Sequence, residues 1–275
     1  MLKQRIMTAL VLVPLILLAI YLLDGSRFAL LTGFIIVGIG GYEWSRLAGF
    51  VQLPQRLMFA FIIFFIGFAI FHLNDYVFPI VMAAALVWWM AAIALMAMYD
   101  PGSRLYKRNP WILVVAAVVI LVAGWWYLIK LHEMSPNWLL YVILLVVVAD
   151  TGAYFSGKRF GKRKLAVMIS PGKTIEGVYG ALFGSVAFSI LGIMVFHIPV
   201  QYWIYFILLS IITVAISIVG DLFISMMKRE AGVKDSGTIL PGHGGILDRV
   251  DSHLAALPVF TTGLAWSGLQ VFTSP

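Results

Sequence analysis

Nine apolar runs, each close to the length of a membrane-spanning helix, are the feature that most constrains the fold of this chain. A helix needs about 20 mostly apolar residues to cross the hydrocarbon core of a bilayer. The runs lie at about 6–23, 28–43, 57–73, 76–99, 111–129, 138–156, 175–196, 202–224 and 254–272. The second run is interrupted by glycines, so a tilted or re-entrant helix is an alternative there. The sequence predicts an all-α, polytopic integral membrane protein with about nine transmembrane helices.

Composition excludes several classes of protein. The 275 residues are 62% hydrophobic and 11% charged, whereas soluble domains carry roughly 25% charged residues. A soluble globule is therefore excluded. The chain has no Cys, which excludes disulfides, zinc–thiolate sites, iron–sulfur clusters and thiol nucleophiles. Function is expected to reside in the few charged side chains.

The distribution of basic residues predicts the topology. With nine spans, seventeen of the nineteen Lys and Arg residues fall on one side, and only Arg27 and Lys130 fall on the other. The positive-inside rule then places the N-terminus in the cytoplasm and the C-terminus outside. The membrane is expected to be the cell (inner) membrane. The net charge of +7 is interpreted as topology and contact with anionic headgroups, without nucleic acid as a partner.

The chain shows neither a long linker nor an internal repeat, so a single membrane domain is expected. Both long polar loops lie in the second half. We interpret 1–137 as scaffold helices and 138–275 as the catalytic half, with its two loops in the cytosol.

The longest polar loop joins the eighth and ninth apolar runs. Glycines surround His243, and Gly244 and Gly245 leave backbone N–H groups free to approach an anion. If Asp248 begins a helix, Asp251 lies on the same face, and the two carboxylates suit a hard cation such as Mg²⁺. The alternative is that these carboxylates only complement a helix dipole and the glycines only form turns.

A polar stripe precedes this loop. Asp221, Ser225 and Lys228 lie at i, i+4 and i+7, on one face of the eighth helix. Asp221 falls at the edge of an apolar run, where a charge costs about 2.5–3.5 kcal/mol, so a function or a buried partner is favoured. Lys234 and Arg249 are expected to balance substrate phosphates. Topological anchoring is the alternative for the basic residues.

The other polar loop follows the sixth run. Asp150 lies inside that run, where the same cost favours a function or a partner. Ser170 and Pro171 resemble a helix cap and first helical residue, which would place Lys173 at an anion-binding helix start. A P-loop is excluded, because its first glycine would fall on Val167. The basic cluster 158–164 is compatible with either lipid anchoring or substrate contact.

Glu43 lies near Arg46 at the end of the second run, and we interpret it as an interfacial residue.

The two polar loops resemble those of a known family. The pattern Ser-x-x-Lys-Arg (225–229), Lys-Asp-Ser-Gly (234–237) and Pro-Gly-His-Gly-Gly-x-x-Asp-Arg-x-Asp (241–251) resembles the signature of the phosphatidate cytidylyltransferases. Ala-Asp-Thr-Gly-Ala-Tyr (149–154) and Ser-Pro-Gly-Lys-Thr (170–174) also resemble that family. The likeness is dense over about 149–258 and general before it.

The resemblance implies transfer of a cytidylyl group from CTP to phosphatidate, giving CDP-diacylglycerol and pyrophosphate. It also implies a divalent metal, a second cation site for which K⁺ is a candidate, and a homodimer. On this hypothesis Asp221, Asp248 and Asp251 bind Mg²⁺. Its catalytic residues are Asp248, Lys228, His243 and Arg249, and its substrate-binding residues are Lys173, Ser170, Gly244, Gly245, Ser225, Lys234 and Asp150.

Two alternatives stay open. A polyprenol kinase or another CTP-dependent lipid-phosphate transferase would use similar acids and bases. A transporter would also place Asp150 and Asp221 along a pathway, although repeat symmetry and polar residues in the outer half would then be expected.

Overall fold

The computed structural model describes residues 2–100, 110–240, 242 and 244–269, and these are predominantly helical. The helices are α1 (Leu2–Leu22), α2 (Gly25–Gly33), α3 (Gly40–Leu47), α4 (Leu53–His72), α5 (Asn74–Ala97), α6 (Pro110–Ala117), α7 (Ala123–Met134), α8 (Pro136–Phe160), α9 (Ile175–Val195), α10 (Trp203–Glu230) and α11 (Leu247–Ser267). The all-α prediction is confirmed. One short antiparallel hairpin, β1 (Lys164–Ala166) and β2 (Ser170–Thr174), is added to it.

Two π-helical turns and one 3₁₀ turn lie between these helices. A π-helical turn at Phe34–Ile39 joins α2 to α3, and another at Val118–Val122 joins α6 to α7. A 3₁₀ turn at Val200–Tyr202 leads into α10. The second apolar run is thus one continuous helical segment, Gly25–Leu47, and is long and apolar enough to cross a membrane.

Six segments among the described residues are long and apolar enough to span a bilayer. They are Gly25–Leu47, Leu53–His72, Trp111–Met134, Pro136–Phe160, Ile175–Val195 and Val200–Glu230. Met7–Leu22 and Ala83–Ala97 are apolar but shorter. A helix coincides with each of the nine predicted runs, while a total of nine spans and the sides of the two termini stay predictions.

Close packing joins the helices of the second half. α8 and α9 approach so closely that a Cβ atom built on Gly152 would lie 2.6 Å from the carbonyl oxygen of Gly180. Small residues that let two backbones meet are typical of helix pairs in membranes, where lipid provides no hydrophobic drive for association. Trp138 packs in the buried core beneath, with its ring 4.0 Å from that of Phe196. The ends of α8 and α9 are therefore held at a fixed spacing.

Both buried apolar clusters of the described residues contain side chains from the two halves of the chain. Trp44 of α3 and Trp89 of α5 are buried in the same cluster as Phe223 of α10 and Leu247 of α11. The first half therefore packs directly against the helices that carry the polar residues of the second.

Candidate functional site

A short hairpin presents Lys173. Lys164 of β1 pairs with Thr174 of β2, and the Thr174 Oγ1 accepts a hydrogen bond of 3.1 Å from the Gly177 N–H. Thr174 thus caps α9, which begins at Ile175. The predicted helix start at Ser170 and Pro171 is wrong, because those residues belong to β2, which pairs with β1, and the cap lies four residues after Ser170.

Two side chains outside the predicted site residues, Arg229 and Glu176, fix this hairpin. The Arg229 Nε, at the end of α10, donates to the Ile169 carbonyl at 3.2 Å. Glu176 accepts hydrogen bonds from the backbone N–H groups of Lys162 and Arg163 and from the Arg163 Nε, at 3.1–3.2 Å. Lys173 is therefore carried by a hairpin that is tied at both ends.

The first of two Lys–Asp pairs links this hairpin to α10. The Lys173 Nζ lies 2.6 Å from the Asp221 Oδ2, and the Ser225 hydroxyl donates to the Asp221 Oδ1 at 3.2 Å. The predicted i, i+4 relation of Asp221 and Ser225 on one helix face is thus observed. The side chains of Lys173 and Asp221 are 27% and 29% exposed.

A cavity of about 420 Å³ opens beside this pair. Asp150, Tyr154 and Lys158 of α8 line it together with Lys173 and Asp221. Asp150 and Asp221 lie ten and nine residues before the ends of α8 and α10, roughly 15 Å along the helix axis. The volume lies in the range of small-molecule sites, about 300–1,000 Å³.

The cavity combines acidic and basic charge. The charge of Asp221 interacts with those of Asp150 and Asp251, and Arg249 interacts with Asp150. Asp251 is 8% exposed and accepts a 2.7 Å hydrogen bond from the Ser252 N–H. Asp221 of α10 therefore lies within electrostatic range of one carboxylate on α8 and one on α11.

The second Lys–Asp pair is enclosed. The Lys228 Nζ lies 2.7 Å from the Asp248 Oδ1, with the two side chains 12% and 5% exposed. The Asp248 Oδ2 accepts three further hydrogen bonds, from the Ser236 N–H and hydroxyl and from the Gly245 N–H, at 2.8–2.9 Å. All four donors converge on a single carboxylate.

Asp248 lies in the first turn of α11, ahead of the apolar run 254–272. Burial by itself would raise the pKa of this carboxyl group. The Lys228 ammonium and the backbone N–H groups of Gly245 and Ser236 outweigh burial and hold the pKa of Asp248 below its ordinary value. Asp248 is therefore a carboxylate at neutral pH.

The remaining predicted site residues belong to the loop between α10 and α11 and to the start of α11. The Gly245 N–H is engaged by Asp248, and the Gly244 carbonyl, in a residue with φ +82°, accepts from the Leu240 N–H at 2.9 Å. Lys234 and Arg249 are exposed. His243 lies outside the described residues.

The fit of a metal ion can be tested on these contacts. Within 2–100, 110–240, 242 and 244–269, no group of three or more His, Asp or Glu side chains is arranged to hold a metal. Both oxygens of Asp248 are already engaged by donors. Mg²⁺, however, usually takes one or two carboxylates together with water and substrate phosphates. Asp221 and Asp251 lie close enough for their negative charges to repel each other, and a bound cation would relieve that repulsion.

Glu43 is a buried carboxylate beside the site whose position sequence reasoning missed. The interpretation of Glu43 as interfacial is wrong, because its side chain is 1% exposed and accepts hydrogen bonds from Ser236, Ile246 and Leu247. An acidic residue at the end of an apolar run was the available signal. The partners lie about two hundred residues away in the chain.

Fold and site together define a helical membrane protein with a charged, partly buried cavity at one end of its helices. The model of the Cytidylyltransferase family matches residues 3–266, so the chain belongs to this family. The resemblance seen in the two polar loops is confirmed.

Curated relatives agree with this assignment. A phosphatidate cytidylyltransferase of Pseudomonas aeruginosa is 43% identical over 269 residues, which cover 97% of this chain and 98% of the relative. One from Haemophilus influenzae is 38% identical over 288 residues, covering 95% and 98%. One from Bacillus subtilis is 43% identical over 135 residues, covering 48% and 50%.

Proposed function

We propose that this chain transfers the cytidylyl group of CTP to phosphatidate, giving CDP-diacylglycerol and pyrophosphate. The observation that carries the proposal is the cavity beside the Lys173–Asp221 pair, in a chain that aligns nearly end to end with relatives named phosphatidate cytidylyltransferase.

The reaction suits a site built from acids and bases. An ionised phosphate oxygen of phosphatidate attacks the α-phosphorus of CTP and forms the new O–P bond. The bond between the α-phosphorus and the oxygen that bridges to the β-phosphate breaks, and pyrophosphate leaves with its electron pair. Because the nucleophile is already ionised at neutral pH, the protein has mainly to align two polyanions and neutralise their charge.

The basic side chains would carry that neutralisation. Lys173 lies at the cavity and would exchange part of its contact with Asp221 for a substrate phosphate. Lys228 and Arg249 would stabilise the charge that develops on the α-phosphate and on pyrophosphate. His243 would donate to the same phosphates.

The other proposed contacts surround the phosphates. They are Ser170, Ser225, Lys234, Gly244, Gly245 and Asp150.

Asp221 and Asp251 are the residues that would hold Mg²⁺, and the bound ion would neutralise charge on the CTP phosphates. Asp248 would contribute to this centre through its fixed pair with Lys228. The proposal includes a second cation, for which K⁺ is a candidate from the family resemblance.

The membrane setting follows from the substrates. Phosphatidate would enter from the inner leaflet and CTP from the cytosol, which agrees with seventeen of nineteen basic residues being predicted on the cytoplasmic side. We propose the cell inner membrane, and a homodimer on the family resemblance.

Pyrophosphate release by the purified chain in mixed micelles tests the proposal. CTP and Mg²⁺ are supplied with phosphatidate, without it, or with a polyprenol in its place. Release that depends on phosphatidate supports the proposal. Release of CDP with the polyprenol supports a kinase instead, and a well-folded protein that is silent with phosphatidate under every divalent metal contradicts the proposed function.

A further inference from the structure

The Glu43 carboxylate lies between the first half of the chain and the loop that joins α10 to α11. Its Oε1 accepts from the Ile246 N–H at 3.0 Å. Its Oε2 accepts from the Leu247 N–H at 2.9 Å and from the Ser236 hydroxyl at 3.0 Å. Three donors from the loop and from the start of α11 thus share one buried carboxylate.

The loop is shaped to receive this side chain. A Cβ atom on Gly237 or on Gly245 would collide with the Glu43 carboxylate. Both positions therefore need the absence of a side chain for Glu43 to approach the backbone. Gly237 and Gly245 approach the Glu43 carboxylate from two separate points of the loop, so more than one contact fixes its position.

The electrostatics of this arrangement are favourable. The backbone N–H groups at a helix start have no partner within the helix, and the helix dipole places partial positive charge there. Glu43 satisfies two such N–H groups at the start of α11, those of Ile246 and Leu247. A neutral side chain of the same shape would give up that interaction.

Hydrogen bonds connect Glu43 to the enclosed Lys–Asp pair. The single proton of the Ser236 hydroxyl is shared between the Glu43 Oε2 at 3.0 Å and the Asp248 Oδ2 at 2.9 Å, and Asp248 in turn binds Lys228 at 2.7 Å. The same α11 turn that Glu43 caps carries Asp248. The position of Asp248 and Lys228 is thus defined from two sides by one residue of α3.

We infer that Glu43 is a positioning residue for cytidylyl transfer, and this inference rests on the proposed function. It fixes the loop and the first turn of α11, so that Lys228 and Asp248 keep the orientation that the reacting phosphates need. Misplacing reacting groups by about 1 Å can cost about a hundredfold in rate. Glu43 acts through these partners and does not touch substrate.

Glu43→Gln tests this role, because it keeps size and removes the charge and one acceptor oxygen. We expect kcat to fall about tenfold to a hundredfold, with KM for CTP within about threefold of wild type. Glu43→Asp retains the charge and should recover part of kcat. Ser45→Ala is the matched control, since Ser45 is buried in the same helix and its hydroxyl bonds to Tyr42 and Arg56.

A second readout reports loop position without using activity. The chain has no Cys, so Thr238→Cys, at an exposed loop residue, gives one site for a nitroxide spin label. We expect Glu43→Gln to increase the mobility of the label and Ser45→Ala to leave it unchanged. The full-length protein in detergent is used throughout.

The outcomes separate the hypotheses. Lower kcat and a more mobile label in Glu43→Gln alone support the inference. Wild-type kcat, an unchanged label, or equal losses in Glu43→Gln and Ser45→Ala overturn it. If the wild-type protein itself shows no release of pyrophosphate that depends on phosphatidate, the proposed function fails, while the label still tests whether Glu43 fixes the loop.

Discussion

The two Lys–Asp pairs of the site have nearly the same length and very different surroundings. Lys173 and Asp221 are separated by 2.6 Å, and Lys228 and Asp248 by 2.7 Å. The first pair is more than a quarter exposed and borders a cavity. In the second, Asp248 is 5% exposed and its other oxygen accepts three more hydrogen bonds.

This difference in exposure indicates different roles for the two Lys–Asp pairs. An ion pair that is partly exposed to solvent is held less firmly than an enclosed one, so it can open when a phosphate arrives. Removing one partner of a buried pair costs about 3–5 kcal/mol, because it leaves an uncompensated charge. We therefore expect the Lys173–Asp221 pair to open and receive substrate, and the Lys228–Asp248 pair to stay closed, so that it maintains the shape of the site and holds Lys228 in place beside the reacting phosphates.

The largest effect is expected from Asp248→Asn. It removes the counter-charge of a buried Lys228, so activity should fall by at least about a hundredfold, and the unfolding midpoint should also decrease. Pyrophosphate release and thermal unfolding in detergent measure the two effects. Asp24→Asn, at an exposed helix cap, is the control. Wild-type activity of Asp248→Asn would remove Asp248 from the site.

Lys173→Met should reduce activity but leave stability almost unchanged. The substitution removes the positive charge that would contact a substrate phosphate, so kcat/KM for CTP should fall about tenfold to a hundredfold. The unfolding midpoint should stay close to that of the wild type. Steady-state kinetics with CTP as the varied substrate and a melting curve test both expectations. A large decrease in stability would show that this pair is structural as well.

Ser225→Ala should have a smaller effect. It removes a single 3.2 Å hydrogen bond to Asp221, worth about 1 kcal/mol, and should raise the Mg²⁺ concentration for half-maximal activity only about threefold to tenfold. Ser185→Ala, which removes a local hydrogen bond in α9, is the control. A complete loss of activity would contradict the view that Asp221 is only lightly restrained.

The smallest effect is expected from pH. Because the folded pKa of Asp248 is lowered, its stabilising contribution is complete above the ordinary value near about 3.9 and is lost as pH falls through the lower folded pKa. The difference in unfolding midpoint between wild type and Asp248→Asn should therefore stay constant from about pH 8 to 5 and shrink below about pH 4. A difference that already shrinks near neutral pH would contradict this assignment.

Local patterns predicted much of this molecule. Apolar run lengths located the helices, and the i, i+4 spacing correctly placed Asp221 beside Ser225. Both depend only on neighbouring residues and on the helix period. The Ser170–Pro171 error also arose locally, because the same residues suit a cap or a strand, and the pairing with β1 decided between them.

Long-range contacts were beyond the sequence. Lys228 and Asp248 were each singled out, but nothing in their spacing indicates that they pair with each other. Glu43 meets residues about two hundred positions away because α3 packs against α10 and α11. Such contacts depend on how helices pack, which a single sequence does not encode in a readable period.

The π-helical turn at Phe34–Ile39 determines which changes in chain length α3 can tolerate. Each residue of an α-helix advances the side-chain direction by about 100°, and a π-helical turn holds one residue more than an α-helical turn. Deleting one residue from Phe34–Ile39 would leave the number of residues in an α-helical turn, so Gly40–Leu47 would keep its direction relative to α2 and Glu43 would still face its loop, whereas inserting one more residue would turn Glu43 away. Apolar substitutions and the loss of one residue in this turn should therefore be tolerated, whereas the gain of a residue should not, because the turn already absorbs the one extra residue that keeps α3 in phase with α2.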